Sequence, residues 1–146
     1  MNSNTLNVVV RPFLPTDMNF ILATWLKSNR SSISVRGVDS LLYYDYHQTI
    51  IKGYLDRAFI GDNVSVAVAC DPDNEKVLYS YAVIEEHQLG NILHFIYTKG
   101  PFRKLGFAKE ILEGIPLTWK TTLSLSLPSY LSHLQYNPYL LNKGKQ

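Results

Sequence analysis

The sequence predicts a single α/β domain of the mixed α+β kind, residues 1–146, in which helices cover both faces of a central mixed sheet. The predicted element order is β-α-α-β-β-β-α-β-α. Alternating apolar residues from Asn63 to Thr98 predict a three-stranded antiparallel meander, and helical periodicity on either side of it predicts the covering helices. A chain of 146 residues, 46% of them hydrophobic, has room for one sizeable core.

The first part of the chain predicts one strand followed by two helices. Residues 6–13 are short and β-branched, and Pro12 ends the run, which favours a strand. Residues 14–29 change to helical spacing, with Pro15 suited to a first helical turn. Residues 38–59 form the second predicted helix. The apolar stripes of the two helices consist of Met18, Leu22, Trp25 and Leu26, and of Leu42, Tyr46, Ile50 and Tyr54.

The meander and the elements after it complete the predicted sheet. Its strands are NVSVAVAC, VLYSYAVIEEH and ILHFIYT, joined by the turn signals DPDNEK and LGN. A helix over Gly106 to Gly114 follows. The run LTWKTTLSL is the fifth predicted strand, and a crossover helix before it would place it parallel to the preceding strand. PSYLSHLQYNPYLL, residues 128–141, predicts a short helix with an irregular end.

Composition and charge argue against several classes of protein. A net charge of +2 without a block of basic residues disfavours nucleic-acid binding. The one cysteine, Cys70, excludes an internal disulfide and a cysteine zinc site, and its apolar surroundings favour a buried thiol. The sequence has no signal-peptide pattern, and no apolar run approaches the roughly 20 residues that span a bilayer. We therefore expect a cytoplasmic protein.

The turn RKLGFA, residues 103–108, is the strongest chemical signal in the chain. It joins the end of a strand to the start of a helix, where backbone N–H groups lack intrahelical acceptors. Gly106 lets the backbone approach an anion, and Arg103 and Lys104 add positive charge beside it. The pattern is compatible with a diphosphate site, although an ordinary solvated turn would carry similar residues.

The same turn, in its setting, resembles the GCN5-related N-acetyltransferase (GNAT) family. That family's diphosphate motif is Gln or Arg, two residues, Gly, one residue, then Gly or Ala, and Arg103 to Ala108 matches it. VVVRPFLPTD also looks like the family's first strand and helix start. HFIYTKGPFRKLGFAK and YNPYLL are similar to small acetyltransferase-like proteins of bacteriophages, which would place the protein in the host cytoplasm.

The resemblance implies an acyl-CoA-dependent N-acyltransferase that moves acetyl from acetyl-CoA to an amine, without a metal. Backbone at the end of the fourth strand would hold the pantetheine, and the following turn would hold the diphosphate. The implied cofactor-binding residues are Ile96, Tyr97, Thr98, Arg103, Lys104, Leu105, Gly106, Phe107 and Ala108.

Acetyl transfer to an amine needs a base and a proton donor. Glu85 or Glu86, at the end of the third strand, and His94 on the fourth are candidates for the base. Adjacent glutamates point to opposite faces of a strand, so at most one enters a shared cleft. A solvated glutamate and a hydrogen-bonded sheet histidine are the alternatives. The family resemblance implies a tyrosine near the C-terminal end as the acid, for which Tyr136 and Tyr139 are the candidates.

Three readings of function stay open at this level. The first is the acyltransferase, which acts on a small molecule or a protein amine. The second is a catalytically inactive GNAT-like binding or structural module, favoured by a C-terminal end that departs from the family pattern, with a homodimer or a viral protein as partner. A phosphate-binding protein of another fold is the weakest reading, because no GxxxxGK[ST] motif is present.

Overall fold

The computed structural model of the chain describes residues 8–30, 37, 39–103, 105–121 and 131–137. Within these residues, strands β1 to β6 form one mixed sheet in sequential order. The first four strands are antiparallel neighbours, whereas β4, β5 and β6 run parallel to one another. The strands are β1 (Val9–Pro12), β2 (Val64–Asp71), β3 (Asn74–Glu85), β4 (Ile92–Thr98), β5 (Trp119–Lys120) and β6 (Gln135–Tyr136).

In the described part of the chain, three α-helices pack on this sheet: α1 (Met18–Arg30), α2 (Ser40–Ile60) and α3 (Phe107–Leu112). A short 3-10 turn precedes α1, and Asp17 in that turn is buried and paired with Arg11 of β1 at 2.7 Å. Asp39 begins α2 by accepting hydrogen bonds from two backbone N–H groups of its first turn. Gly61 ends α2 in the left-handed conformation, with φ +70°.

Helices cover both faces of the sheet, as the sequence predicts. Helices α1 and α2 bury one apolar layer against β2, β3 and β4, and α3 buries a second layer on the opposite face. The α1/α2 layer includes Ile21, Trp25, Tyr54, Leu55, Val66, Val68, Tyr81 and Val83. The α3 layer includes Ala82, Ile84, Leu93, Phe107 and Ile111. The predicted fold class is therefore confirmed.

The C-terminal end differs from the prediction of a short helix over residues 128–141. Its described part, residues 131–137, forms a turn and the strand β6. Parallel pairing explains the difference, because β6 satisfies backbone groups at the outer edge of β5. Gln135 N donates to the Thr118 carbonyl oxygen and Asn137 N to that of Lys120. Residues 128–130 and 138–141 of that prediction lie outside the described residues.

Two further predictions concern the burial of Cys70 and the presence of membrane-spanning segments. Cys70 is a free thiol with 2% of its surface exposed, which confirms the predicted buried thiol. In the part of the chain that the structure describes, no helix is both long enough and apolar enough to cross a bilayer.

Candidate functional site

Strands β4 and β5 are parallel but pair over a short distance. Ile92 pairs with Trp119 and Leu93 pairs with Lys120, and the described part of β5 ends there. From Phe95 to Thr98, β4 pairs with β3 on one side, and no described strand lies along its other side. The N–H and C=O groups on that side form an edge to which an extended ligand can hydrogen-bond. We call the edge from Phe95 to Thr98 the β4 edge.

A β-bulge lies immediately before the β4 edge. Val83 pairs with Phe95 and Ile84 with Leu93, so His94 is the extra residue of β4. In a regular strand His94 and Phe95 would point to opposite faces. Here both contact the α1/α2 layer. The His94 ring lies 4.1 Å from that of Tyr54, and the Phe95 ring is stacked 5.2 Å from that of Trp25.

The bulge places His94 in a chain of polar contacts that joins α2, β3, β4 and the residue after β5. Arg57 of α2 donates to Glu85 Oε2 of β3 at 2.8 Å. Glu85 Oε1 lies 2.7 Å from His94 Nε2. His94 Nδ1 lies 2.8 Å from Oγ1 of Thr121, the residue that follows β5. We call these four residues the polar chain.

Burial and hydrogen bonding set the charge states in the polar chain. Burial lowers the pKa of His94 and outweighs the Glu85 hydrogen bond, which raises it. Burial raises the pKa of Glu85, but hydrogen bonds and the charge of Arg57 more than offset this effect, so the pKa is lowered. Glu85 is therefore an acceptor and His94 is neutral at neutral pH. We infer that His94 Nε2–H donates to Glu85 and that Nδ1 accepts from the Thr121 hydroxyl.

Three residues of this arrangement were not predicted from the sequence: Tyr54, Arg57 and Thr121. Tyr54 fits the apolar stripe of α2, and Arg57 fits a cation in the last helical turn, so each had a sufficient local explanation. Thr121 carried no local signal, because its partner depends on the register between β4 and β5. The sequence does place Tyr54 and Arg57 on one helical face, which is the signal that could have linked them.

The predicted diphosphate turn lies at the C-terminal end of β4. A 3-10 turn over Gly100–Phe102 leads to Arg103, whose Nε donates to the Thr98 carbonyl oxygen at 3.1 Å. Gly106 precedes α3 with φ +87°, a conformation that favours glycine, and a Cβ there would meet nothing within 4 Å. The space in front of the turn is therefore open.

Helix α3 has only six residues, so its dipole adds less to this turn than a long helix would. The N–H groups of its first turn still lack intrahelical acceptors. The Phe107 side chain is buried against Tyr79 and Phe102, whereas Leu105 is 47% exposed. Phe107 can therefore contact a ligand at this turn only through its backbone. Lys104 lies outside the described residues.

The structure brings Glu85 and His94 together but separates them from Tyr136. Tyr136 is on β6, 39% exposed, and β5 lies between β6 and β4, a backbone separation of about 10 Å. Tyr139 lies outside the described residues, and Glu86 is exposed. The catalytic roles of Glu85, His94, Tyr136 and Tyr139 stay predictions.

An open groove of about 870 Å³ lies beside the turn that contains Gly106. One side is α3, and the other is formed by the segment after it and the turn at residues 131–133. Its volume is in the range of small-molecule sites. The groove begins at Gly106, so it is continuous with the predicted diphosphate turn. Its lining includes Gly106, Lys109, Glu110, Glu113, Leu131 and His133.

An aromatic cluster faces α1 at the C-terminal end of β4. The half-buried Tyr97 ring lies 6.0 Å from Phe20 and 5.6 Å from Tyr81. Lys99 Nζ is 5.2 Å from the centre of the Phe20 ring. The Tyr81 hydroxyl is 2.7 Å from Thr24 Oγ1, and burial raises the pKa of Tyr81 far above its usual value. The cluster forms an aromatic wall next to the β4 edge, with the Lys99 side chain over the Phe20 ring.

No family model and no curated protein sequence matches the chain. Several solved structures do. The PaiA N-acetyltransferase from Thermoplasma acidophilum in complex with coenzyme A is 16% identical, with 73% of this chain and 68% of that chain covered and a TM-score of 0.48. The histone acetyltransferase HPA2 and related acetyltransferase from Corynebacterium glutamicum is 12% identical, with 73% and 68% covered and a TM-score of 0.49.

A third solved structure is AAC(6')-Iy in complex with a bisubstrate analogue, CoA-S-monomethyl-acetylneamine. It is 16% identical, covers 73% of this chain and 67% of its own, and has a TM-score of 0.40.

Proposed function

We propose that the protein is an acyl-CoA-dependent N-acyltransferase. The observation that carries the proposal is the His94 bulge, where the described pairing of β4 with β5 ends, one strand length before the Gly106 turn. An extended pantetheine along the β4 edge would pair with backbone groups of Phe95 to Thr98. Its thioester would then lie near His94, and its diphosphate would lie at the turn that contains Gly106.

The residues at the turn fit a diphosphate. Gly106 leaves open space in front of the backbone, and Arg103 is an exposed guanidinium tied to the carboxyl end of β4. Backbone N–H groups of Phe107 and Ala108 supply donors that depend little on side-chain identity. Acetyl-CoA is the proposed co-substrate and supplies the activated acyl group, while the groove beside α3 has room for the nucleotide end.

The polar chain fits the acid–base chemistry of the transfer. The amine must lose a proton as it is acylated, and a neutral imidazole hydrogen-bonded to a carboxylate is a competent base. His94 and Glu85 have these states, and the bulge brings them to the start of the β4 edge. A backbone N–H of the β4 edge would polarise the thioester carbonyl. Tyr136 or Tyr139 is the acid that the sequence resemblance suggests.

The acceptor is an amine that reaches the site from the side of the aromatic cluster. Tyr97 and Phe20 offer faces that hold an alkyl or aromatic chain, and Lys99 disfavours a second positive charge close to it. A bacteriophage source, a cytoplasmic location, and a homodimer or viral protein partner are hypotheses that derive from the sequence alone.

A thermal melt of the purified chain tests the proposal, with acetyl-CoA, CoA or ATP added. A ligand at 100 times its dissociation constant stabilises by about 2.7 kcal/mol, which raises the melting temperature by several degrees. We expect shifts with acetyl-CoA and CoA and a smaller one with ATP, followed by amine-dependent release of CoA thiol. Absence of a shift with both CoA forms would refute the proposal.

A further inference from the structure

We propose that Thr121 is a catalytic residue whose hydroxyl passes the proton of the acceptor amine to His94, and that Arg57 positions the pair. The inference rests on the proposed acyl-transfer function and adds to it a route for the proton. It also removes the need for a separate tyrosine acid, because one relay takes up the proton and returns it.

The contacts have the order hydroxyl, imidazole, carboxylate. Thr121 Oγ1 is 2.8 Å from one ring nitrogen of His94, and Glu85 Oε1 is 2.7 Å from the other. Hydrolases use the same order to move a proton from a hydroxyl to an imidazole while a carboxylate fixes the tautomer. With Glu85 ionised, the Nε2–H tautomer is favoured and Nδ1 is left to accept the Thr121 proton.

The relay lies where the proposed acyl group would be. Thr121 is the first residue after the pairing of β5 with β4, and His94 is the bulged residue at the same end of the β4 edge. Both therefore lie where the described pairing of β4 with β5 ends, next to the β4 edge. Thr121 is 3% exposed and His94 is fully buried, so water has little access to the relay. Because both ring nitrogens of His94 already have partners, the proposal assigns the contact with the amine to the Thr121 hydroxyl.

Arg57 acts on the relay through Glu85. It donates to Oε2 at 2.8 Å while Oε1 faces His94, so the two carboxylate oxygens have separate partners. The pairing holds Glu85 ionised and fixes its orientation. Arg57 Nε also lies 3.5 Å from Asp62 Oδ2, which anchors the guanidinium at the end of α2. Arg57 does not contact the reacting atoms and is a positioning residue.

The proton movements balance over one turnover. The amine nitrogen bonds to the acyl carbon, and the carbon–sulfur bond breaks with its electron pair on sulfur. As the N–H proton of the amine moves to Thr121 Oγ1, the original hydroxyl proton moves to His94 Nδ1. The resulting imidazolium keeps its Nε2–H on Glu85. The reverse movement through Thr121 returns one proton to the thiolate, which leaves an amide, a free thiol and the starting relay.

The test compares the wild-type chain with Thr121→Val, Thr121→Ser and the matched control Thr49→Val, which removes an exposed hydroxyl on α2. Acetyl-CoA and n-butylamine are the probes, and acetyl-CoA binding is measured on the same samples. We expect Thr121→Val to bind acetyl-CoA like wild type and to lose about 100-fold in single-turnover rate. Thr121→Ser should keep most of the rate, and Thr49→Val should match wild type.

A readout that needs no turnover accompanies the kinetics. Nitrogen NMR of the His94 ring in the wild-type chain should give the Nε2–H tautomer at neutral pH, and Thr121→Val should move the Nδ1 resonance alone. The Nδ1–H tautomer in wild type would overturn the relay, because Thr121 could then not donate to His94. The tautomer measurement on the wild-type chain also tests the relay if Thr121→Val does not fold.

The kinetic outcomes separate the two proposals. Wild-type rates in Thr121→Val, or acetyl-CoA binding by wild type without transfer to n-butylamine or water, would overturn the relay and leave the acyl-CoA site standing. A wild-type chain that does not bind acetyl-CoA would overturn the proposed function and the relay with it.

Discussion

Glu85 and His94 are joined by a contact of 2.7 Å between Oε1 and Nε2, although the backbone partner of Glu85 is Ile92. The contact is diagonal, two residues along β4 from that partner, and so it stays on the same face of the sheet. Because His94 is itself the bulged residue, Phe95 also points to this face. A strand irregularity therefore concentrates the polar chain and two aromatic contacts where the described pairing of β4 with β5 ends.

Replacing His94 with Gln should change how stability depends on pH. The lowered pKa of His94 means that the unfolded chain binds more protons than the folded chain below the ordinary value, about 6.5. The wild-type free energy of unfolding should therefore fall as pH drops from about 6.5 towards the lower folded-state pKa.

His94→Gln should flatten this slope in urea unfolding curves measured from pH 7.5 to 5. His133→Gln, an exposed matched control, should keep the wild-type slope. An unchanged slope in His94→Gln would show that His94 is not held neutral by the fold.

The Gly106 backbone conformation makes a second prediction. Alanine at φ +87° should cost about 1–2 kcal/mol of stability, because an L side chain is strained there even in open space. Gly106→Ala should also weaken acetyl-CoA binding, since a Cβ in front of the turn limits the approach of the diphosphate. The control is Gly53→Ala in α2, where a Cβ also meets nothing within 4 Å and the change should be neutral or stabilising. Equal acetyl-CoA affinities for the two variants would argue against the turn as the diphosphate site.

Reversing the charge at Arg103 should weaken acetyl-CoA binding in a salt-dependent way. Arg103→Glu places a negative charge beside the proposed diphosphate, so the loss of affinity should be larger at low salt than at 1 M salt. Lys27→Glu, on the exposed surface of α1, makes the same change of net charge away from the turn. If titration calorimetry gave the same acetyl-CoA affinity for both variants, the loss of affinity would come from the change in net charge and not from the position of Arg103.

The buried ion pair between Arg11 and Asp17 should be a main support of the N-terminal half. Asp17 Oδ2 accepts from Arg11 at 2.7 Å and from the Leu14 N–H at 2.8 Å, and only 1% of its side chain is exposed. Asp17→Ala leaves the guanidinium without this partner and should cost about 3–5 kcal/mol in denaturant unfolding. Asp45→Ala, an exposed control on α2, should cost less than about 0.5 kcal/mol. A small loss of stability in Asp17→Ala would show that apolar packing, and not this ion pair, anchors α1.

Local sequence signals could predict most of this fold. The meander, both long helices and the turn after β4 each have a period or turn signal that needs no distant partner. Strand β6 could not be predicted, because a two-residue strand is defined by its hydrogen bonds to β5 and not by its own residues. The bulge at His94 could not be predicted either, because the ILHFIYT run alternates as a regular strand does.

The site was predictable in parts. Arg103 to Ala108 carry a local motif, and Glu85 and His94 were expected near each other because their strands are neighbours. Thr121 could not be predicted, because its contact with His94 depends on the register between two parallel strands. The two residues are 27 positions apart in sequence, and sequence spacing does not give that register. Whether Glu85 or Glu86 turns inward depends on the phase of the strand, and Glu85 is the half-buried one whereas Glu86 is exposed.

The most direct test of the central claim is a map of backbone amide shifts in the wild-type chain during titration with acetyl-CoA. Binding along the β4 edge predicts the largest changes from Phe95 to Thr98 and at Arg103 to Ala108, with smaller changes at Thr121. The amides of β1, on the far edge of the sheet, should stay unchanged. Saturable changes confined to residues outside the β4 edge and the Gly106 turn would contradict the account.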